Sequence, residues 1–228
     1  EKEKTMEELK NEFVKTINNS FNVEEKDISK IERINTEKSI VYIAYSIQQE
    51  NKFYDIDLNI PMINIKGNIP KEFNKVTQEV FVKKANEVRK NKNNAEKIIY
   101  SIDYVGYLND NILSIIIKSS LKQGNNPQRI IIQTYNYNIE TKEKVSLNNI
   151  IEQKNINVQE LQNKINDVLK SVKKEETILI NSGYPVYERN LESEIYKIEN
   201  ITNFFLNEEG KLYIVFAYGN QNFTSEFD

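Results

Sequence analysis

The chain has 228 residues, 39% hydrophobic and 29% charged, a balance that fits a globular protein able to bury a real core rather than a disordered one. Its 31 basic and 34 acidic residues leave a net charge of −3, which argues against a nucleic-acid binder. It contains no histidine and no cysteine, which excludes Ser–His and Cys–His nucleophile pairs, an imidazole general base and zinc sites of the Cys/His type.

What survives is carboxylate, lysine and tyrosine chemistry, or none, and neither a cofactor nor a metal is expected. Glycine is scarce at 6 and proline at 4, and neither a G-x-G-x-x-G nor a Walker-type phosphate loop is present. Apolar runs such as Ile115–Ile117 and Ile130–Ile132 are far too short to span a bilayer. The chain begins at Glu1 rather than at methionine, and any membrane attachment is expected only through an upstream anchor outside this sequence.

Thr5 and Glu8 have the spacing of a capping box, and Met6, Leu9, Phe13 and Ile17 then fall on one helical stripe, which docks on the body or on a partner. Val41, Ile43, Tyr45 and Ile47 alternate with polar residues, and so do Tyr54, Ile56, Leu58 and Ile60. The polar stretch Gln48–Lys52 between them completes an antiparallel hairpin with one buried face. Pro61 is expected to end the second strand, because it cannot donate to a ladder. Pro70 suits the first turn of a helix running to about Lys90, with Phe73, Val76, Val80 and Val88 on its apolar stripe and Phe81 and Ala85 widening it.

Three strand-like segments follow, roughly Ala95–Leu108, Ile112–Leu121 and Arg129–Ile139. Asn109-Asp110-Asn111 supplies a tight turn, and the stretch from Gln123 to Pro127 breaks the next pair. The isoleucine triplets predict strands covered on both faces. Ser146 caps a short helix over Leu147–Ile151, and Asn157 caps a longer one with Val158, Leu161, Ile165, Val168, Leu169 and Val172 on one stripe. Asn181–Glu188 reads as a loop. Thr202–Leu206 and Leu212–Tyr218 read as a hairpin turned at Asn207–Gly210.

Strands grouped in a meander, with helices between groups, predict an α+β fold of antiparallel sheets with helices packed on one face. The expected division is an N-terminal helix and connector over 1–36, a first α+β subdomain over 37–123 and a second, closely associated with it, over 124–228.

Among candidate sites, Tyr184, Tyr187 and Arg189 share a loop with Pro185, and tyrosine and arginine are the residue types enriched at binding hot spots. The same residues also suit a loop anchored by its own aromatics. Tyr218, where the last strand runs out, is a second contact candidate. Tyr135 and Tyr137 read as core. Asp55 and Asp57 share one strand face about 7 Å apart, within the roughly 5–10 Å range of a glycosidase carboxylate pair, although solvent-facing acids are also ordinary on a half-buried strand.

Three stretches carry a family resemblance. They are Ile60-Pro61 leading to Asn74 and the long helix; Ile132–Ile139 with Thr141-Lys142 and Val145–Ile150; and Asn203–Gly210 with Leu212–Phe216. In order and spacing the region from Ser39 to Phe216 resembles the paired extracytoplasmic domains of lysozyme-receptor anti-sigma factors of Gram-positive bacteria, a pair that also precedes the catalytic domain of some peptidoglycan deacetylases. The resemblance implies a secreted or membrane-anchored domain facing the cell wall that binds a lysozyme-like protein or a wall glycan and is not an enzyme. Two loops depart from the family: the stretch from Gln123 to Pro127 lacks its histidine, and Thr141-Lys142-Glu143-Lys144 replaces its Thr-Gly-Lys turn. Two other readings stand beside this one: a carboxylate-dependent cell-wall hydrolase using Asp55 and Asp57, and an assembly domain that associates through the Met6–Ile17 helix.

Overall fold

A computed structural model describes residues 40–126, 128–184, 188–218 and 226–227. The expected Met6–Ile17 helix and its cap lie outside the described residues. The fold is α+β. Hydrogen bonding orders the strands β1 (Val41–Glu50), β2 (Tyr54–Ile63), β3 (Ile98–Asn109), β4 (Ile112–Gln123), β5 (Arg129–Asn138) and β6 (Glu143–Lys144) as β1-β2-β3-β4-β5-β6. Two small sheets accompany them: β7 (Phe204–Leu206) with β8 (Leu212–Ile214), and β9 (Ala217–Tyr218) with β10 (Glu226–Phe227). The helices are α1 (Asn68–Arg89), α2 (Leu147–Gln153) and α3 (Val158–Asn181).

The large sheet is mixed, not purely antiparallel. β2 and β3 run parallel over Tyr54–Leu58 and Ile98–Ile102, because α1 lies between them in the chain and returns it in the same direction. Pro61 does not end β2. The strand continues to Ile63, and β1 shifts register between Ile43 and Tyr45, opposite Pro61. A bulge with no β3 partner beyond Leu58 is a place where a strand tolerates a missing donor.

The chain divides into two compact units. The first takes in the described residues up to Tyr104 together with Ser119–Asn126; the second takes in Val105–Lys118 and the described residues from 128 onward. The long strands β3 and β4 therefore contribute a part to each unit.

In the first unit, Ile56, Leu58 and Ile60 of β2 are buried, as are Phe73, Thr77, Phe81, Ala85 and Val88 of α1. The apolar stripe is rotated by one position from the expected one, leaving Val76 and Val80 exposed. The cause is Asn74. It faces inward, accepts from Ile63 N at 2.8 Å and donates to Ile63 O at 3.1 Å, standing in for a strand neighbour.

In the second unit, Ile112, Leu147, Ile150, Ile165, Leu169, Phe204 and Leu206 form the core. Ser146 caps α2 through a capping box with Asn149 in the usual Glu/Gln place, and Asn157 caps α3 by accepting from Glu160 N. On α3, Val158 and Val168 are exposed; the inward row is Ile165, Leu169 and Glu176, with Leu161 and Val172 partly buried. β7 is stitched down by polar side chains. Asn136 donates to Phe204 O (2.8 Å), Leu206 N donates to Ser114 Oγ (3.1 Å) and Phe204 N donates to Thr134 Oγ1 (3.0 Å). The second and third stretches of the resemblance thus meet. Tyr137 is buried as expected, but Ile131 is exposed, so β5 is covered on one face only over its first half. The expected strand Leu212–Tyr218 is broken into β8 and β9.

Candidate functional site

Two of the four contact candidates, Tyr184 and Arg189, have described side chains, and these stand in different surroundings. Tyr184 is 62% exposed just beyond α3. Tyr187 lies outside the described residues, and so does the side chain of Tyr218, whose backbone belongs to β9. Arg189 is inside the protein. Its side chain is 1% exposed and that of Glu176 is 2% exposed, with Nε and Oε1 2.9 Å apart. The contact is an ion pair by proximity more than an aligned hydrogen bond, and Glu176 Oε2 also accepts from Arg189 N at 3.0 Å. Lys173, one turn earlier, donates to Glu188 Oε1 (2.6 Å) and Arg189 O (2.8 Å). A guanidinium spent on a dehydrated carboxylate is an anchor and offers nothing to a ligand. The sequence carried a trace of this: Glu176 sits eleven residues after Ile165, on the buried row of α3.

A groove of about 560 Å³ opens in the second unit between the first half of α3 and the segment 191–200, which contains two 3₁₀ turns, Glu194–Tyr196 and Ile198–Asn200. Buried Leu169, Tyr196 and Ile198 form its floor, where Tyr196 meets Phe216 edge-on at 5.2 Å. Gln162 holds the walls together, donating from Nε2 to Tyr196 O (3.0 Å) and accepting from Ile198 N at Oε1 (3.1 Å). Gln159, Asn166 and Lys170 line one side, and Leu191, Ser193 and Lys197 the other. The Lys197 ammonium bonds Glu194 at 2.5 Å, which raises its pKa. The lining acids, Glu192 and Glu199, are exposed and solvated rather than dehydrated and convergent. The amides of Gln159 and Asn166, the Ser193 hydroxyl and solvated charges of both signs around an apolar floor suit a polar, hydrogen-bonding ligand. None of the six flanking residues was singled out by sequence reasoning. They lie on the polar face of a helix and in a segment more than twenty residues away, and only folding brings them together.

Asp55 and Asp57 lie on the expected strand face, Asp57 exposed and Asp55 half-buried. No cluster of three or more potential metal-ligating side chains occurs among the described residues, and no described helix is long and apolar enough to cross a membrane.

No family model matches the chain, and no curated protein matches it. Among solved structures it is similar to a DUF3298 family protein, a domain of unknown function, from Pseudomonas aeruginosa PAO1; the TM-score is 0.45 and the identity 11%, over 79% of this chain and 81% of that one.

Proposed function

We propose that this chain is a non-catalytic binding module of a Gram-positive cell-envelope protein, acting outside the cytoplasm and engaging a lysozyme-like protein or a wall glycan. The observation that carries the reading is the groove along α3, an open cleft with an apolar floor, amide and hydroxyl walls and solvated charges at its rim. Enzyme sites concentrate dehydrated acids and bases; the charged groups of this cleft, Lys170, Glu192, Lys197 and Glu199, are exposed to solvent. The family resemblance supplies the cellular setting.

The test is calorimetry of the chain against lysozyme and against soluble muropeptides, repeated with Asn166→Ala and Lys170→Ala. Both residues are exposed, so the variants keep the fold. The expected result is binding of one ligand, weakened about tenfold by each variant (about 1.4 kcal/mol). Absence of binding to either, or turnover of muropeptides by the wild-type chain, refutes the reading.

A further inference from the structure

β7 and β8 pair Phe205 directly with Tyr213, while the flanking residues Phe204 and Leu206 turn into the core. Phe205 is therefore the outward residue of a three-residue strand. It stacks on Tyr213 at 4.8 Å with planes 4° apart, and on Tyr107 of β3 at 6.0 Å and 15°. Both spacings exceed the roughly 3.5–4 Å of carbon–carbon contact, which suits the offset geometry that aromatic pairs prefer. Tyr213 is 38% exposed, and Val105, on the same side of β3 as Tyr107, is 48% exposed. The row is an apolar staircase with phenol hydroxyls at two of its edges.

The staircase is held rigid. Asn207 Oδ1 accepts from Glu209 N and Lys211 N, which closes the β7–β8 turn. Asn109 donates to Glu208 O at 3.1 Å and lies so near Gly210 (φ +74°) that a Cβ there would be 2.8 Å from Asn109 Oδ1. The hairpin is thus clamped to the β3–β4 turn, fixing Phe205 and Tyr213 relative to Tyr107. A surface held in its binding geometry loses little freedom when a ligand arrives.

We propose that the Tyr107–Phe205–Tyr213 row is a binding site for a neutral saccharide chain. A pyranose has a flat C–H face and a rim of hydroxyls, which match an aromatic row edged by phenols. Charge selects the neutral class. The one described cation over the row, Lys211, sits 5.2 Å above the Tyr213 ring, while Glu208 and Glu209 are exposed in the same turn and disfavour anionic ligands. This site shares no residue with the α3 groove.

The probes are cellopentaose and the pentamer of N-acetylglucosamine, both uncharged, followed by saturation-transfer NMR on the full chain. Tyrosine emission serves as a second readout, because the chain has no tryptophan. The expected result is millimolar or tighter binding of at least one probe, insensitive to salt, weakened about tenfold by Tyr213→Ala and by Tyr107→Ala, largely kept in Tyr213→Phe and unchanged in Tyr184→Ala. Circular dichroism establishes that each variant is folded, and the two row variants sit on different strands, so loss of one hairpin cannot imitate loss of the site. Binding of neither probe overturns the proposal, as does binding that survives both alanine variants. Saccharide binding lost only in Asn166→Ala leaves the groove reading standing and removes this one. A row that binds lysozyme but no saccharide is a protein contact and equally overturns it.

Discussion

Glu176→Gln keeps the shape of a side chain and removes its charge. Because the two partners are 1% and 2% exposed, water cannot take over the role of the lost carboxylate. The Arg189 guanidinium would stay buried beside a neutral amide, and the bond from Arg189 N would weaken with it. Breaking a buried pair from one side costs about 3–5 kcal/mol, set against a total domain stability of about 5–15 kcal/mol. With a urea slope of about 1–3 kcal/mol per molar, the unfolding midpoint should fall by about 1 M or more. Urea unfolding followed by circular dichroism and tyrosine emission measures this. The double variant Glu176→Leu with Arg189→Met should recover most of the loss, since it leaves no orphan charge. A single-variant loss under about 1 kcal/mol, or a double variant no better than the single, would refute the reasoning: the first outcome means water reaches the pair, the second that the two side chains are not coupled.

Three further outcomes follow from the geometry. Gly210→Ala should cost about 1–2 kcal/mol for the left-handed backbone and more for the 2.8 Å clash with Asn109, an excess that Asn109→Ala should remove; equal costs in both backgrounds, read by thermal unfolding, would show that the turn does not press on Asn109. Ser146→Ala should cost about 1 kcal/mol through the lost α2 cap, read by urea unfolding, and Ser146→Asp should restore most of it; a neutral Ser146→Ala counts against the capping box. Stability should fall at alkaline pH. Burial, with Asp103 second, pushes the Tyr104 pKa up to about 12, and burial raises Tyr135 and Tyr137 as well. The folded state therefore holds these protons more tightly than the unfolded chain. Their contribution is complete below the unfolded value of about 10 and is lost as pH rises through the folded values. Ultraviolet titration should show a tyrosine subset ionising late and together with unfolding; all 13 ionising together near the ordinary value, with circular dichroism unchanged, would contradict this.

Much of the local structure was legible. Alternation located β1 and β2, the Asn109–Asn111 turn and the three long strands came within a few residues of their observed limits, and the caps at Ser146 and Asn157 stand where the spacing put them. Misreadings arose where a polar residue is buried. Asn74 and Thr77 face inward on α1, so a stripe drawn through Val76 and Val80 was one position off. Glu176 and Arg189 form an interior pair, so a residue type associated with contact surfaces turned out to be an anchor. Polarity alone cannot tell a solvated side chain from one whose partner is distant in sequence.

The sequence by itself determined the elements and the α+β class, and it removed histidine and cysteine chemistry, because periodicity, capping and composition act over a few residues. Tertiary structure alone decided that β2 and β3 run parallel, that a groove forms between α3 and the segment near Tyr196, and that Tyr107 stacks beside Phe205 and Tyr213. Each of these brings together residues distant in sequence, such as Tyr54 with Ile98, Gln162 with Tyr196 and Tyr107 with Phe205, through hydrogen bonds and ring contacts that exist only once the chain has closed on itself.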